Sequence, residues 1–97
     1  MSQKLTIVAI IEAKKDKASF VESELLKLID PTKKEQGCLE YRLQKDNENP
    51  EKFIFFERWE SKKLWQTHME SDHLKELVQN TDGMLDKLEI KEMSEIA

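Results

Sequence analysis

The first apolar segment of the chain runs from Lys4 to Glu12 and is rich in β-branched residues. Its apolar side chains occupy both odd and even positions, which is typical of a strand that is covered on both faces. From Val21 to Ile29, apolar residues instead recur at spacings of three and four, as on one side of a helix. We expect Asp16 to cap this helix and Pro31 to end it, because proline lacks the N–H and disfavours helical geometry just before it.

The middle of the chain predicts two strands that pair as a hairpin. Between Leu39 and Gln44, apolar and polar residues alternate, which is the period of a strand with one buried face. Residues 46–50 have the composition of a turn, and an aromatic-rich strand follows from Phe53 to Trp59. Because the connection is short, these two strands should lie side by side.

After the hairpin, Ser61 can cap a second helix and Ser71 can cap the chain again, so we expect a break at Ser71. Gly83 ends this helical region, and apolar residues alternate once more around Leu88 in a last strand. The resulting order is β-α-β-β-α-β. It predicts a single domain over residues 1–97, of the α+β class, with a ferredoxin-like fold and a four-stranded antiparallel sheet.

The third strand indicates self-association. Phe53, Phe55 and Trp59 share one parity and Ile54 and Phe56 share the other, so both faces of the strand carry large apolar groups. Leaving several such side chains exposed forgoes about 1.5–3 kcal/mol each. Covering them with a second copy of the sheet predicts a homodimer.

Composition excludes several classes of function. The net charge of -4 over 97 residues argues against a nucleic-acid partner, which requires a basic surface. Cys38 is the only cysteine, so no disulfide can form within the chain, and we expect a cytoplasmic protein. The apolar run of residues 5–11 is too short to span a bilayer, so no membrane partner is expected. With only Gly37 and Gly83, the chain has no glycine-rich phosphate loop, and we expect no cofactor.

Residues 35–77, EQGCLEYRLQKDNENPEKFIFFERWESKKLWQTHMESDHLKEL, resemble the antibiotic biosynthesis monooxygenase family. The first strand, TIVAIIEAKKDK, is also similar to the start of that family. The resemblance implies a dimeric alpha-beta barrel, in which the sheets of two ferredoxin-like subunits pack together, with a pocket between sheet and helices. It also implies chemistry that varies among members. Some are cofactor-independent oxygenases acting on quinols or anthrones, and others degrade haem or handle small signalling molecules. Haem degradation is disfavoured, because the first strand lacks the asparagine that haem-degrading relatives use.

The candidate site lies in the segment WQTHMESDHL, which contains both histidines. His68 follows Trp65 by three residues, so the two share one face of a helix. His73 lies five residues further, about 500° around an unbroken helix, so the two histidines would point to different faces. A break at Ser71 could bring them together, but we expect no metal site. Unperturbed histidine titrates near pH 6.5 and is therefore the natural base for removing a substrate proton near neutral pH.

In the catalytic hypothesis, His68 takes a hydroxyl proton from an aromatic substrate, and the anion then passes an electron to dioxygen. Trp65, Trp59 and Phe55 would hold the ring, while His73 or Arg58 would stabilise the anion. The alternative interpretations are structural. His68 is then a satisfied core histidine, His73 a surface or capping residue, the tryptophans part of the core, Arg58 an ion-pair partner of Glu57, and Cys38 a small buried residue.

Two functions from different classes follow. The first is a cofactor-independent monooxygenase that oxidises a small quinol- or anthrone-like aromatic with dioxygen. The second is a dimeric module that binds or isomerises a small apolar or signalling molecule without oxygen chemistry. The residues alone leave both open.

Overall fold

The computed structural model of the chain describes residues 4–97, so Met1 to Gln3 of the predicted 1–97 domain lie outside the described residues. The four strands are β1 (Leu5–Ala13), β2 (Cys38–Lys45), β3 (Lys52–Trp59) and β4 (Leu85–Met93). The four α-helices are α1 (Ala18–Leu26), α2 (Ile29–Lys33), α3 (Lys62–Met69) and α4 (Asp72–Asn80). None of these helices is long and apolar enough to cross a membrane.

The strands form one antiparallel sheet in the order β2-β3-β1-β4, which confirms the predicted ferredoxin-like α+β fold. β3 lies in the middle of the sheet, between β2 and β1. Phe55 therefore pairs with Ala9 on one side and Leu43 on the other. Glu57 likewise lies between Ile7 and Tyr41. This register places the second half of β3 at the centre of the helix-facing surface.

The two faces of the sheet differ in what covers them. Burial alternates along β3 and along β1 from Thr6 onwards, and the deeply buried side chains face the helices. They form one core with Val21 and Leu25 of α1 and with Leu28. The opposite face, which we call the outer face, carries partly buried apolar residues on the same two strands: Val8, Ile10, Ile54 and Phe56.

The first helical region departs from the expectation. Asp16 lies in a short 3-10 helix, Lys15–Lys17, and caps nothing, since Lys17 is the N-cap of α1. Pro31 does not end the helix either, because it lies inside α2. A proline is tolerated there because the N–H groups of a helix's first turn have no partner within the helix. The helix is instead interrupted by a turn at Lys27 and Leu28, before the proline, although both residues keep right-handed helical backbone angles.

The second helical region agrees with the expectation. The Ser61 side chain accepts a hydrogen bond from the backbone N–H of Leu64 at 3.3 Å, which confirms it as the cap of α3. The predicted break is also confirmed, since α3 ends at Met69 and α4 begins after Ser71. Ser71 occupies the N-cap position without forming a side-chain cap bond. The break turns α4 relative to α3, and this change of direction shapes the site.

Candidate active site

A cavity of about 570 Å³ lies between the helix-facing surface of the sheet and helices α1 and α4. Its wall is mainly apolar, with Phe55 and Ala9 from the sheet and Leu25 from α1. Exposed residues of α4 and the following turn, including Lys75, border its mouth. A cavity of this size suits a small organic ligand. The polar groups that reach it therefore decide what it can do.

His68 contributes its imidazole to the cavity wall from the last turn of α3. The residue is 1% exposed. Its Nδ1 lies 2.6 Å from Oε2 of Glu35, in the segment between α2 and β2. The ring centroid lies 4.8 Å from that of Trp59 and 5.6 Å from that of Tyr41, so the imidazole packs against two aromatic rings. Because the hydrogen bond uses Nδ1, Nε2 remains available on the other side of the ring.

His73 meets the same carboxylate from the first turn of α4. Its Nε2 lies 2.8 Å from Oε2 of Glu35, and the two imidazole centroids are 6.0 Å apart. The two histidines share this carboxylate because the helix breaks between them at Ser71, the condition under which the sequence allows them to come together. An ionised Glu35 accepts from both rings when His68 carries its proton on Nδ1 and His73 carries its proton on Nε2. His73 lines a neighbouring cleft of about 200 Å³ rather than the large cavity.

The set of two imidazoles and one carboxylate also has the composition of a transition-metal site. The three ligand atoms lie within 4.8 Å of one another. Ligands of a tetrahedral zinc ion with bonds near 2.1 Å are, however, separated by about 3.4 Å. The two N···O distances of 2.6 and 2.8 Å are instead those of charge-assisted hydrogen bonds. We therefore interpret Glu35, His68 and His73 as a hydrogen-bonded triad.

The environment of His68 sets its protonation state. Burial lowers the pKa of His68, and the hydrogen bond and charge of Glu35 oppose this shift in part. The imidazole is therefore neutral at neutral pH and can accept a proton at Nε2. Once protonated, it would be stabilised by the adjacent carboxylate, which is the arrangement of an oriented general base.

Glu57 is a second titratable group in the cavity wall, and it is only 4% exposed. The predicted Glu57–Arg58 ion pair is wrong, because successive residues of a strand point to opposite faces. Arg58 lies on the outer face, where its Nη1 lies 3.3 Å from Oε1 of Glu40. Glu57 instead accepts a 2.9 Å hydrogen bond from the indole N–H of Trp59. Burial raises the pKa of Glu57 to about 7, the Trp59 bond opposes the rise, and the charge of Glu35 adds to it.

The remaining predicted site residues fall into two groups. Phe55 lines the cavity and stacks on Tyr41 with ring centroids 4.7 Å apart. Trp59 and Trp65 are buried core residues that support the wall from behind rather than forming it. Arg58 does not reach the cavity of this chain, and the structure therefore gives it no contact with an anion there.

Three groups that the sequence hypothesis did not assign complete the site: Glu35, Tyr41 and Glu57. Tyr41 is 3% exposed and lines the cavity. It lies on β2 and is the cross-strand partner of Glu57 on β3. Burial and, secondarily, the charge of Glu57 raise the pKa of Tyr41, so it remains a neutral phenol. Cys38 is no competing nucleophile, since burial raises the pKa of its thiol to about 11.

The comparison with known families agrees with this architecture. A model of the antibiotic biosynthesis monooxygenase family matches residues 5–80, which span every element that lines the cavity except β4. The chain belongs to this family. The expected resemblance is thereby confirmed for the fold and for a general monooxygenase-like class.

Individual relatives extend the comparison. PA3566 from Pseudomonas aeruginosa has a crystal structure similar to this chain, with a TM-score of 0.94 and 29% identity, covering 100% of this chain and 98% of that one. A conserved protein from Methanosarcina mazei Go1 has a TM-score of 0.88 and 30% identity, covering 97% and 94% of the two chains. An uncharacterised Synechocystis protein is 27% identical over 83 residues, which are 86% of this chain. The match spans 56% of the length of that curated relative.

Proposed function

We propose that the protein is a cofactor-independent monooxygenase that oxidises a small quinol- or anthrone-like aromatic with dioxygen in the cavity between sheet and helices. The observation that carries this proposal is the His68–Glu35 pair, an oriented imidazole in the wall of an apolar cavity, with 2.6 Å between Nδ1 and the carboxylate. Family membership supports the reaction class.

The first step is proton transfer. Nε2 of His68 removes the hydroxyl proton of a quinol, and Glu35 stabilises the imidazolium that forms. The resulting anion is electron-rich and passes an electron to dioxygen. One oxygen atom then enters the ring and the other leaves as water, so a quinol and dioxygen give a hydroxyquinone and water. All the electrons that reduce dioxygen come from the substrate, and this step therefore needs no metal or flavin.

The cavity favours this chemistry in two ways. Its apolar wall keeps bulk water from the anion, and Phe55 and Tyr41 present stacked rings against which a flat aromatic can lie. His73 links Glu35 to the neighbouring cleft, where its side chain is 23% exposed. This connection supplies a route by which the proton taken from the substrate can reach solvent.

A homodimer is part of the proposal. Val8, Ile10, Ile54 and Phe56 form an apolar strip on the outer face of the two central strands. A second copy of the sheet would bury this strip, and the interface should reach the roughly 1,200–2,000 Å² of a stable association.

Oxygen uptake tests the function directly. The purified protein is given a panel of quinols and anthrones in metal-free buffer under labelled dioxygen. We expect uptake that depends on the protein, and we expect one labelled oxygen atom in the product. Turnover of a panel member without label in the product, or uptake that follows added metal, would contradict a cofactor-independent monooxygenase.

One observation favours a second candidate, an isomerase that uses no dioxygen. Isomerisation needs a group that removes a proton and a group that returns one, and both His68 and Glu57 line the cavity. The pKa of Glu57, raised to about 7 by burial, suits such a role. The discriminating measurement is anaerobic. An α-hydroxycarbonyl compound that is rearranged without dioxygen would favour the isomerase.

A further inference from the structure

The cavity wall holds a carboxyl group, Glu57, that the proton abstraction by His68 does not use. Its position in the middle of β3 places it at the centre of the helix-facing surface, 4% exposed. None of the ion pairs formed among the described residues includes Glu57. A carboxylate that is buried without a cation is electrostatically unfavourable, and the group is favoured as a neutral acid instead.

Each titratable group near Glu57 either raises the pKa of Glu57 or is uncharged. Tyr41 and Cys38 on β2 are protonated, since burial raises both pKa values. Glu35, before β2, raises the pKa of Glu57 through its negative charge. His68 on α3 is neutral because burial lowers its pKa. Glu57 itself has a pKa of about 7, so a large share of it is protonated at neutral pH.

The hydrogen bonding of Glu57 leaves one oxygen for a ligand. The Trp59 indole N–H donates to Oε1 at 2.9 Å, which fixes the plane of the carboxyl group. Oε2 has no hydrogen-bond partner among the described residues and is left to carry the acidic proton, and Glu57 lines the cavity. Tyr41 is the direct cross-strand partner of Glu57 and lines the same cavity. Side chains paired in this way have Cβ atoms about 4.5–5.5 Å apart, so the two side chains are neighbours in the cavity wall.

We propose that Glu57, as a neutral carboxylic acid, and Tyr41 form an oxyanion-binding site that donates two hydrogen bonds to the deprotonated substrate. This inference rests on the proposed function, in which His68 creates that anion. It assigns the substrate class as compounds whose conjugate base carries its negative charge on an oxygen atom. Enolisable aryl ketones and extended phenols belong to this class. Donors aimed at such an oxygen stabilise the anion most in a site that excludes water.

A naphthol probe tests this site without turnover or dioxygen. 1-Naphthol changes its absorbance when it ionises, so the ratio of ionised to neutral bound probe can be measured against pH. We expect the wild-type dimer to bind the probe and to ionise it at a lower pH than free solution does. Glu57→Leu and Tyr41→Phe should each lower the ionised-to-neutral ratio by about tenfold or more, since each removes one donor.

The Glu57→Gln variant shows whether Glu57 acts as a hydrogen-bond donor or as a base. The glutamine amide keeps an N–H donor, so we expect it to retain most of the ionisation that Glu57→Leu loses. Glu22→Gln serves as a control, because Glu22 pairs with Lys45 outside the cavity. Equal ionisation of the probe in wild type and Glu57→Leu would overturn the proposal. A Glu57→Gln variant that ionises the probe as poorly as Glu57→Leu would do the same. So would a wild-type protein that leaves the bound probe neutral. Ionised probe in a protein with no oxygen uptake would contradict the monooxygenase and leave the oxyanion site standing.

Discussion

Nδ1 of His68 lies 2.6 Å from Oε2 of Glu35, a residue 33 positions earlier in the chain. This contact fixes the tautomer of a buried imidazole and directs Nε2 away from the carboxylate. It also places a negative charge where an imidazolium would form. The catalytic proposal depends on this pair more than on either residue alone, because burial by itself disfavours the charged histidine.

Replacing Glu35 tests the pair. In Glu35→Gln the side chain keeps its shape and can still accept from Nδ1, but the charge that stabilises the imidazolium is lost. We expect kcat to fall between about 10²- and 10⁴-fold with a folded protein, as measured by oxygen uptake and circular dichroism. Glu22→Gln, which removes a carboxylate outside the cavity, should retain wild-type activity. Full activity in Glu35→Gln would remove Glu35 from the mechanism.

Gly37 holds the segment that carries Glu35 against helix α3. Its φ is +86°, and a Cβ built there would lie 2.9 Å from Cβ of Leu64. We expect Gly37→Ala to lower the free energy of unfolding by about 2–4 kcal/mol, from backbone strain and overpacking together. Gly83 is the matched control, with φ +75° and nothing within 4 Å of the added Cβ. Urea denaturation should therefore show a loss of only about 1 kcal/mol for Gly83→Ala. Equal losses in the two variants would refute the packing argument.

The raised pKa of Glu57 predicts a pH-dependent stability. Between the ordinary carboxyl value of 4.5 and the folded value of about 7, the folded protein holds a proton that the unfolded chain has lost. The contribution of Glu57 is therefore greatest at low pH and falls as pH rises through about 7. The total change is about 3 kcal/mol, at about 1.4 kcal/mol per pKa unit.

Comparison with Glu57→Gln isolates this effect from other titrations. Urea denaturation at pH 5 and pH 8 should show that wild type loses more stability over this interval than the variant does. The His68 contribution, which has the opposite sign because burial lowers its pKa, is common to both proteins. Parallel stability curves would show that Glu57 titrates normally.

The outer face of the sheet predicts the oligomeric state. Sedimentation of the wild-type protein at micromolar concentration should give a dimer. Phe56→Glu places a charge in the apolar strip, and we expect it to give a folded monomer. Leu26→Glu is the control, since Leu26 is 55% exposed on α1, away from the outer face, and its replacement should leave the dimer intact. A wild-type monomer would show that the strip does not associate.

The sequence predicts the fold well because local periodicity determines it. The strand and helix periodicities of the successive segments, together with the cap at Ser61, were sufficient to order the elements. Pro31 was misleading because proline breaks a helix interior but not a first turn. The break at Ser71 was anticipated, yet its consequence for His73 depends on a three-dimensional turn that no spacing rule supplies.

The site was only partly predictable. His68 and Phe55 were assigned to it and line the cavity, although the catalytic role of His68 and the substrate-binding role of Phe55 stay predictions. Glu35 was missed because no sequence pattern around it indicates that this loop glutamate contacts His68, which lies 33 residues later on a helix. Glu57 could have been found, since it shares the parity of Phe55 and Trp59 and must face the core with them. The neighbouring Arg58 suggested an ion pair with Glu57 and so drew attention away from this shared parity.

The most direct test of the catalytic proposal is oxygen uptake by His68→Asn. Alanine is a poor choice there, because His68 is 1% exposed against Trp59 and its truncation would leave a cavity and an unpaired Glu35. Asparagine can still hydrogen-bond to Glu35 but cannot accept a proton at neutral pH. With a panel substrate that the wild type oxidises, we expect kcat to fall by about 10²–10⁴-fold while the variant stays folded and dimeric. Wild-type turnover by a folded His68→Asn dimer would contradict the assignment of His68 as the general base.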